Sequence, residues 1–246
     1  MTKNTKPTAT EDPHIVVRYD EELGALQQLV KQMGARALSQ VQEAVNALMT
    51  ADVVTARRVV SSDRQLNYMD MDGKEKAVAL FAVRTPVARD LRVVMALHQT
   101  VGMLEHIGDE AKGIAEIVVR VFEEDRVPPT SDLMRDVTHM GNLAVGMLES
   151  ALTALDERDV DAAVAVLKRT EDMKAEFRSA LRRLSTFVME DARNLKHSID
   201  MICVYRSLER VGDYAKNLGE QVIYIVKGKD VRYMNVDNLA NGYLED

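Results

Sequence analysis

The sequence predicts an all-α protein of six helices, built as two tandem three-helix bundles. Three observations predict it. Apolar residues recur at three- and four-residue steps through most of the chain. Gly (12) and Pro (5) are scarce among 246 residues, while Ala, Val, Leu, Met, Glu and Arg, mainly good helix formers, are abundant. Residues 91–116 align without a gap with 195–220, at a constant offset of 104 and with eight of 26 positions identical. Such a repeat marks a duplicated unit, and the chain is long enough for two units that each bury a core.

Residues 1–13 are polar, without an apolar signal region, and read as a disordered arm. The first helix starts near His14, with Leu23, Leu26, Val30, Met33, Ala37, Val41, Ala44, Val45 and Leu48 on one face. Asp52 is placed to cap a second helix that runs to about Val83. Thr85 and Pro86 suit the N-cap and first position of a third helix, which continues to about Glu123. Pro128 and Pro129, followed by Thr130 and Ser131, stop and restart the chain. A fourth helix covers about Ser131 to Leu155. Asp159 caps a fifth that ends near Glu190, and a sixth ends near Lys227 with Gly228 just beyond it. The expected division is an arm at 1–13, bundles at 14–126 and 127–228, and a polar tail at 229–246.

Charge and cysteine content narrow the function. The net charge of −7 comes from interspersed acids and bases with no basic block, so a nucleic-acid footprint is not indicated. Cys203 is the single cysteine, which excludes an intrachain disulfide and a cysteine-rich zinc site. It lies in an apolar run and reads as buried. No apolar run approaches the roughly 18 residues of a membrane span. A cytoplasmic location is expected. The phosphate-loop and dinucleotide glycine motifs, HExxH, and the ExxH pairs of a ferritin-like oxidase are missing. The methionines read mostly as core filler, with an exposed subset suited to a partner.

The repeat centres on "LEHIGDEAKGIAE" (104–116) and "LERVGDYAKNLGE" (208–220). With Leu104 at zero, Leu97, Val101, Ile107, Gly108, Ala111, Ile114, Ala115 and Val118 fall within about 80° of it and form the buried stripe. Glu105, Asp109 and Glu116 lie near 100°, 140° and 120°, on one flank of that stripe. Glu209, Asp213 and Glu220 hold the same angles. Acids at i and i+4 repel by a few tenths of a kcal/mol, so a helix does not choose them for stability. A divalent cation bound through oxygen would make them favourable. Asp63, Asn67 and Asp70 on the second helix, and Asp172 and Glu176 on the fifth, are further ligand candidates. The plain alternative is a solvated flank, with Lys112 paired to Asp109 and Glu116. The exact duplication of the acids counts against it. His106 faces Arg210 in the repeat, which argues against a required ligand role. Gly108 and Gly212 sit in the stripes and imply close helix approaches.

These motifs, with "RTPVARDLRVVM", "MEDARN" and "YIVKGKDVRY" around them, resemble the paired motifs of the PhoU family over about residues 14–233. The resemblance implies two three-helix bundles related by a pseudo-twofold axis, assembled as homodimers or larger oligomers. It implies iron, zinc, manganese or magnesium ions on Glu105 with Asp109 and on Glu209 with Asp213, with Asp63, Asp70, Asp172 and Glu176 as neighbouring ligands. It implies a non-enzymatic negative regulator of the phosphate-starvation response, linking PstB, the ATPase of the Pst phosphate ABC transporter, to the PhoR sensor kinase and PhoB. His106 stands where the family usually has arginine, and Asn67 where an acid is common, so a weaker first site is expected. The residues alone also allow a carboxylate-bridged phosphohydrolase or a metal-free helical scaffold.

Overall fold

The computed structural model describes residues 13–84, 88–125, 130–190, 195–234 and 239. The helices are α1 (Pro13–Thr50), α2 (Val53–Arg84), α3 (Ala88–Val119), α4 (Ser131–Glu157), α5 (Val160–Glu190) and α6 (Leu195–Lys227). A wider π-type turn, Arg120–Asp125, closes α3. The two expected caps form: Asp52 accepts the Thr55 N–H at 3.0 Å and Asp159 accepts the Ala162 N–H at 3.0 Å. The Thr55 hydroxyl, then the backbone bond to Thr55, hold the Asp52 carboxyl below the usual range. Gly228, at φ 70°, donates its N–H to the Tyr224 carbonyl and ends α6. The expected arm lies outside the described residues except for Pro13, and so do Thr85 and Pro86.

α1, α2 and α3 pack on one another, as do α4, α5 and α6; α3 on α6 and α1 on α4 join the halves. Like meets like across the junction, as a local twofold requires. One continuous core runs through both halves, from Leu26, Met33 and Leu66 to Met147, Tyr205 and Leu208. Every member of the predicted α3 stripe is buried. A smaller cluster joins Ala154, Ala163, Leu167 and Val222 to Val231 and Leu239, so the segment after Gly228 is partly anchored. Cys203 is exposed, contrary to expectation. It lies about 140° round α6 from Leu208, and the apolar run that suggested burial wraps the whole helix.

The register of α3 on α6 positions everything that follows. Arg92 lies against Gly228, His106 against Tyr214, Glu110 against Arg210 and Arg120 against Asp200. The helices are therefore antiparallel, and Gly108 is level with Gly212 at their midpoint. A Cβ on Gly108 would lie 2.5 Å from Leu66 Cδ1 and 3.1 Å from Gln40 Oε1. One on Gly212 would lie 3.1 Å from Met173 Cγ. Each glycine thus lets the preceding helix of its own half close onto the motif helix.

Candidate metal centre

α3 carries Glu105 and Asp109 one turn apart beside the buried stripe. His106 Nδ1 lies 2.8 Å from Glu105 Oε2. A donor atom from each of Glu105, His106 and Asp109 falls within 4.8 Å of the others, the one such group of three or more among the described residues. Burial, then the nearby Asp109 and Asp70 charges, push the Glu105 carboxyl up against the opposing His106 and Lys74. This carboxyl holds its proton more strongly than usual, chiefly because it is partly buried beside Asp109.

The expected ligands on α2 are occupied. Asp63, 2% exposed, accepts Lys112 Nζ at 3.0 Å and Asn67 Nδ2 at 3.2 Å. Lys112 therefore pairs across helices with the buried Asp63, and not with Asp109 and Glu116 as the solvated-flank alternative had it. Asp63 raises the Lys112 amine above its ordinary range. Asp70 pairs with Lys74 at 2.7 Å. The remaining carboxylate oxygens of Asp63 and Asp70 are buried without a hydrogen-bond partner.

The second motif has the same acids and a different environment. Arg206, one turn before Glu209, pairs with it at 2.6 Å; the equivalent position on α3 is Gly102. Burial, then Glu209, raise the Asp213 carboxyl, opposed by Lys174, Lys216 and Arg206. Glu176 lies 3.6 Å from His139 and 3.9 Å from Arg183, and Asp172 is exposed; among the described residues neither joins Glu209 and Asp213 in a donor group of three or more. Glu220 is buried and paired with Lys216 at 2.9 Å, whereas Glu116 is exposed.

A polar seam connects the motifs across α3 and α6. Arg210 pairs with Glu110 at 2.8 Å and donates to Tyr214 Oη at 3.1 Å. The Tyr214 ring lies 5.8 Å from His106. Sequence reasoning missed this seam because it depends on the register between helices. The Arg206–Glu209 pair had a signal, the i, i+3 spacing of opposite charges.

A family model described as the PhoU domain matches residues 30–118 and 137–222. This chain belongs to the PhoU family. It is 37% identical over 227 residues to the phosphate-specific transport system accessory protein PhoU homolog of Pseudomonas putida, covering 92% of this chain and 88% of the relative. It is 32% identical to the PhoU accessory protein of Escherichia coli K12, covering 92% of each. The crystal structure of PhoU from Pseudomonas aeruginosa superposes with a TM-score of 0.82 at 36% identity, over 86% of this chain and 100% of that one. The PhoU structure from Streptococcus pneumoniae, at 24% identity and a TM-score of 0.77, shares the fold.

Proposed function

We propose that this chain is a metal-carrying helical adaptor that restrains the phosphate-starvation response when phosphate is ample. It serves the Pst phosphate transporter, contacting its ATPase PstB and the PhoR sensor kinase so that PhoR does not activate PhoB. The role is regulatory and not enzymatic, exercised in the cytoplasm as a homodimer or larger oligomer. The observation that carries it is the acid pair duplicated on rigid helices, in a family whose relatives are named as accessory proteins of phosphate-specific transport. No described helix is long and apolar enough to cross a membrane, which suits an adaptor held through its partners. Bundles at 14–126 and 127–228 would each present one acid pair.

The first pair fits a cation. Glu105, His106 and Asp109 converge, and Glu105 is partly buried beside a second carboxylate. Two carboxylates with an imidazole suit iron, zinc or manganese better than magnesium, which prefers oxygen alone. A bound cation would supply fixed positive charge there and hold both carboxylates ionised. Glu209 and Asp213 would take a second cation once Arg206 swings away from Glu209. Asp63, Asp70, Asp172 and Glu176 would support the two sites from the neighbouring helices.

Deleting the protein should raise a phosphate-starvation reporter in phosphate-rich medium, and restoring the wild type should silence it. A reporter that stays silent in the deletion strain refutes the regulatory role.

A further inference from the structure

Of the eight identities shared by the repeats, the buried leucine, glycine and alanine pairs build the core and the charged pairs build the motif. Leu91 and Leu195 do neither: they are 40% and 54% exposed. Each begins a line of solvent-facing apolar residues. On α3 it continues to Met95 (38% exposed), and on α6 to Ile199 (53%) and Ile202 (42%). At about 100° per residue, 91, 95 and 98 share one face, as do 195, 199 and 202. Glu105 with Asp109, and Glu209 with Asp213, continue the same two lines. Each motif helix therefore carries an apolar stripe that runs into its acid pair. Val78 on α2 and Met189 at the end of α5 are also exposed, at 57% and 87%. Clustered apolar exposure, duplicated at one offset, marks an interaction surface.

We propose that the two stripes are paired docking sites for two copies of one amphipathic helix, presented by a homodimeric protein. Each helix lays its apolar face along Leu91 and Met95 or along Leu195, Ile199 and Ile202, with Lys or Arg at the end that reaches the acid pair. The charge order selects that helix: on α3 it is apolar first, then two carboxylates, and on α6 Arg206 stands between Ile202 and Glu209 and must turn from Glu209 to admit the basic end. Symmetry selects the dimer. α3 and α6 are antiparallel about Gly108 and Gly212, so the stripes are twofold-related, point in opposite directions and begin about 50 Å apart along the helix axis. One helix laid across both stripes would need about 33 residues with apolar ends and a basic middle, whereas two copies of a short helix use one pattern twice. Each stripe is short, and linking the two contacts makes the second attachment intramolecular. A second copy of this chain fits poorly, because parallel stripe-to-stripe contact would bring acid pair towards acid pair and antiparallel contact would leave both acid pairs without a basic partner. The draw on the basic end is strongest when the pair holds no cation, a clause that rests on the metal reading above. The apolar docking does not depend on it.

The test places photo-reactive p-benzoylphenylalanine at Gln99 or at Cys203, equivalent exposed positions beside the stripes, in the full-length protein in its own cells. The expected result is cross-linking from both positions to the same homodimeric protein, through a peptide that is amphipathic with Lys or Arg at one end. Adducts only with lipid or with a second copy of this chain, different proteins at the two positions, or no adduct would overturn the proposal. Combining L195K, I199K and I202K should also lower the yield from position 99 by about tenfold or more, as the intramolecular second contact is lost. An unchanged yield, with helicity and melting preserved, would overturn the paired docking. Adducts in a protein that retains no metal would leave this surface standing and remove only the metal reading. Metal retention without adducts would do the reverse.

Discussion

The two acid motifs are copies in sequence and differ in electrostatics. At Glu105 and Asp109 the nearest addition is His106, which brings a third donor atom. At Glu209 and Asp213 it is Arg206, which brings a positive charge already paired with Glu209. The positions one turn before the acids, Gly102 and Arg206, are equivalent, so one substitution decides whether the pair is open or neutralised by the chain itself. The substitutions that suggested a weaker first site, His106 and Asn67, look different in place. His106 adds a donor, and Asn67 hydrogen-bonds Asp63, whose charge is answered by Lys112.

The largest expected contrast lies on the neighbouring helices. Lys112→Met leaves the buried Asp63 with only Asn67 and should cost about 2–3 kcal/mol, discounted for a lysine that is partly solvated. Asp172→Ala, on the exposed face of α5, should change stability by less than about 0.5 kcal/mol. Denaturant titration of both variants checks this, and equal losses would erase the asymmetry. The Lys112 amine is raised by Asp63, so its contribution is complete at neutral pH and is lost as pH rises through that raised range.

Next come the glycines. Gly108→Ala drives a methyl to 2.5 Å from Leu66 and should lose about 1–2 kcal/mol. Gly212→Ala meets the adaptable Met173 at 3.1 Å; its gain in helix propensity should offset the contact to within about 0.5 kcal/mol. Melting temperatures compare them directly.

A similar contrast is expected in metal affinity. His106→Ala should weaken binding at the first pair by about tenfold, and Arg206→Gln should strengthen binding at the second by a similar factor. Calorimetric titration with zinc or manganese measures both, and no change in either would remove the distinction between the sites.

The smallest effect concerns pH. The Glu105 and Asp213 carboxyls are raised, so their ionised forms cost the folded state stability above their raised range. That cost is relieved as pH falls through it. In the cation-free protein Glu105→Gln should add a few tenths of a kcal/mol at pH 7. Asp213→Asn should add less, because Lys174, Lys216 and Arg206 already oppose the shift at Asp213. Both gains should vanish near pH 4, and melting curves at the two pH values check them.

What was legible in the sequence was local. Helix period, Asp52 and Asp159 as caps, Gly228 as a stop and the glycines of the α3 and α6 stripes all act within a few residues of their own position. The acid pair was legible because one helix sets its geometry. Partners chosen by tertiary register were not. Lys112 chose Asp63 on another helix over acids on its own, and Arg210 met Glu110 because α3 and α6 cross at Gly108 and Gly212. Cys203 was misread although its place on the helix was calculable; composition around it was weighed in place of direction.

On the proposed metal role, the first acid pair is the open cation site and the second is held shut by Arg206. Elemental analysis of protein purified without chelator tests it most directly, on the wild type, Glu105→Ala/Asp109→Ala, and Glu209→Ala/Asp213→Ala. The wild type should retain a transition metal, the first variant should lose most of it and the second should keep most of it. Equal metal in all three, or a loss confined to the second variant, would contradict it.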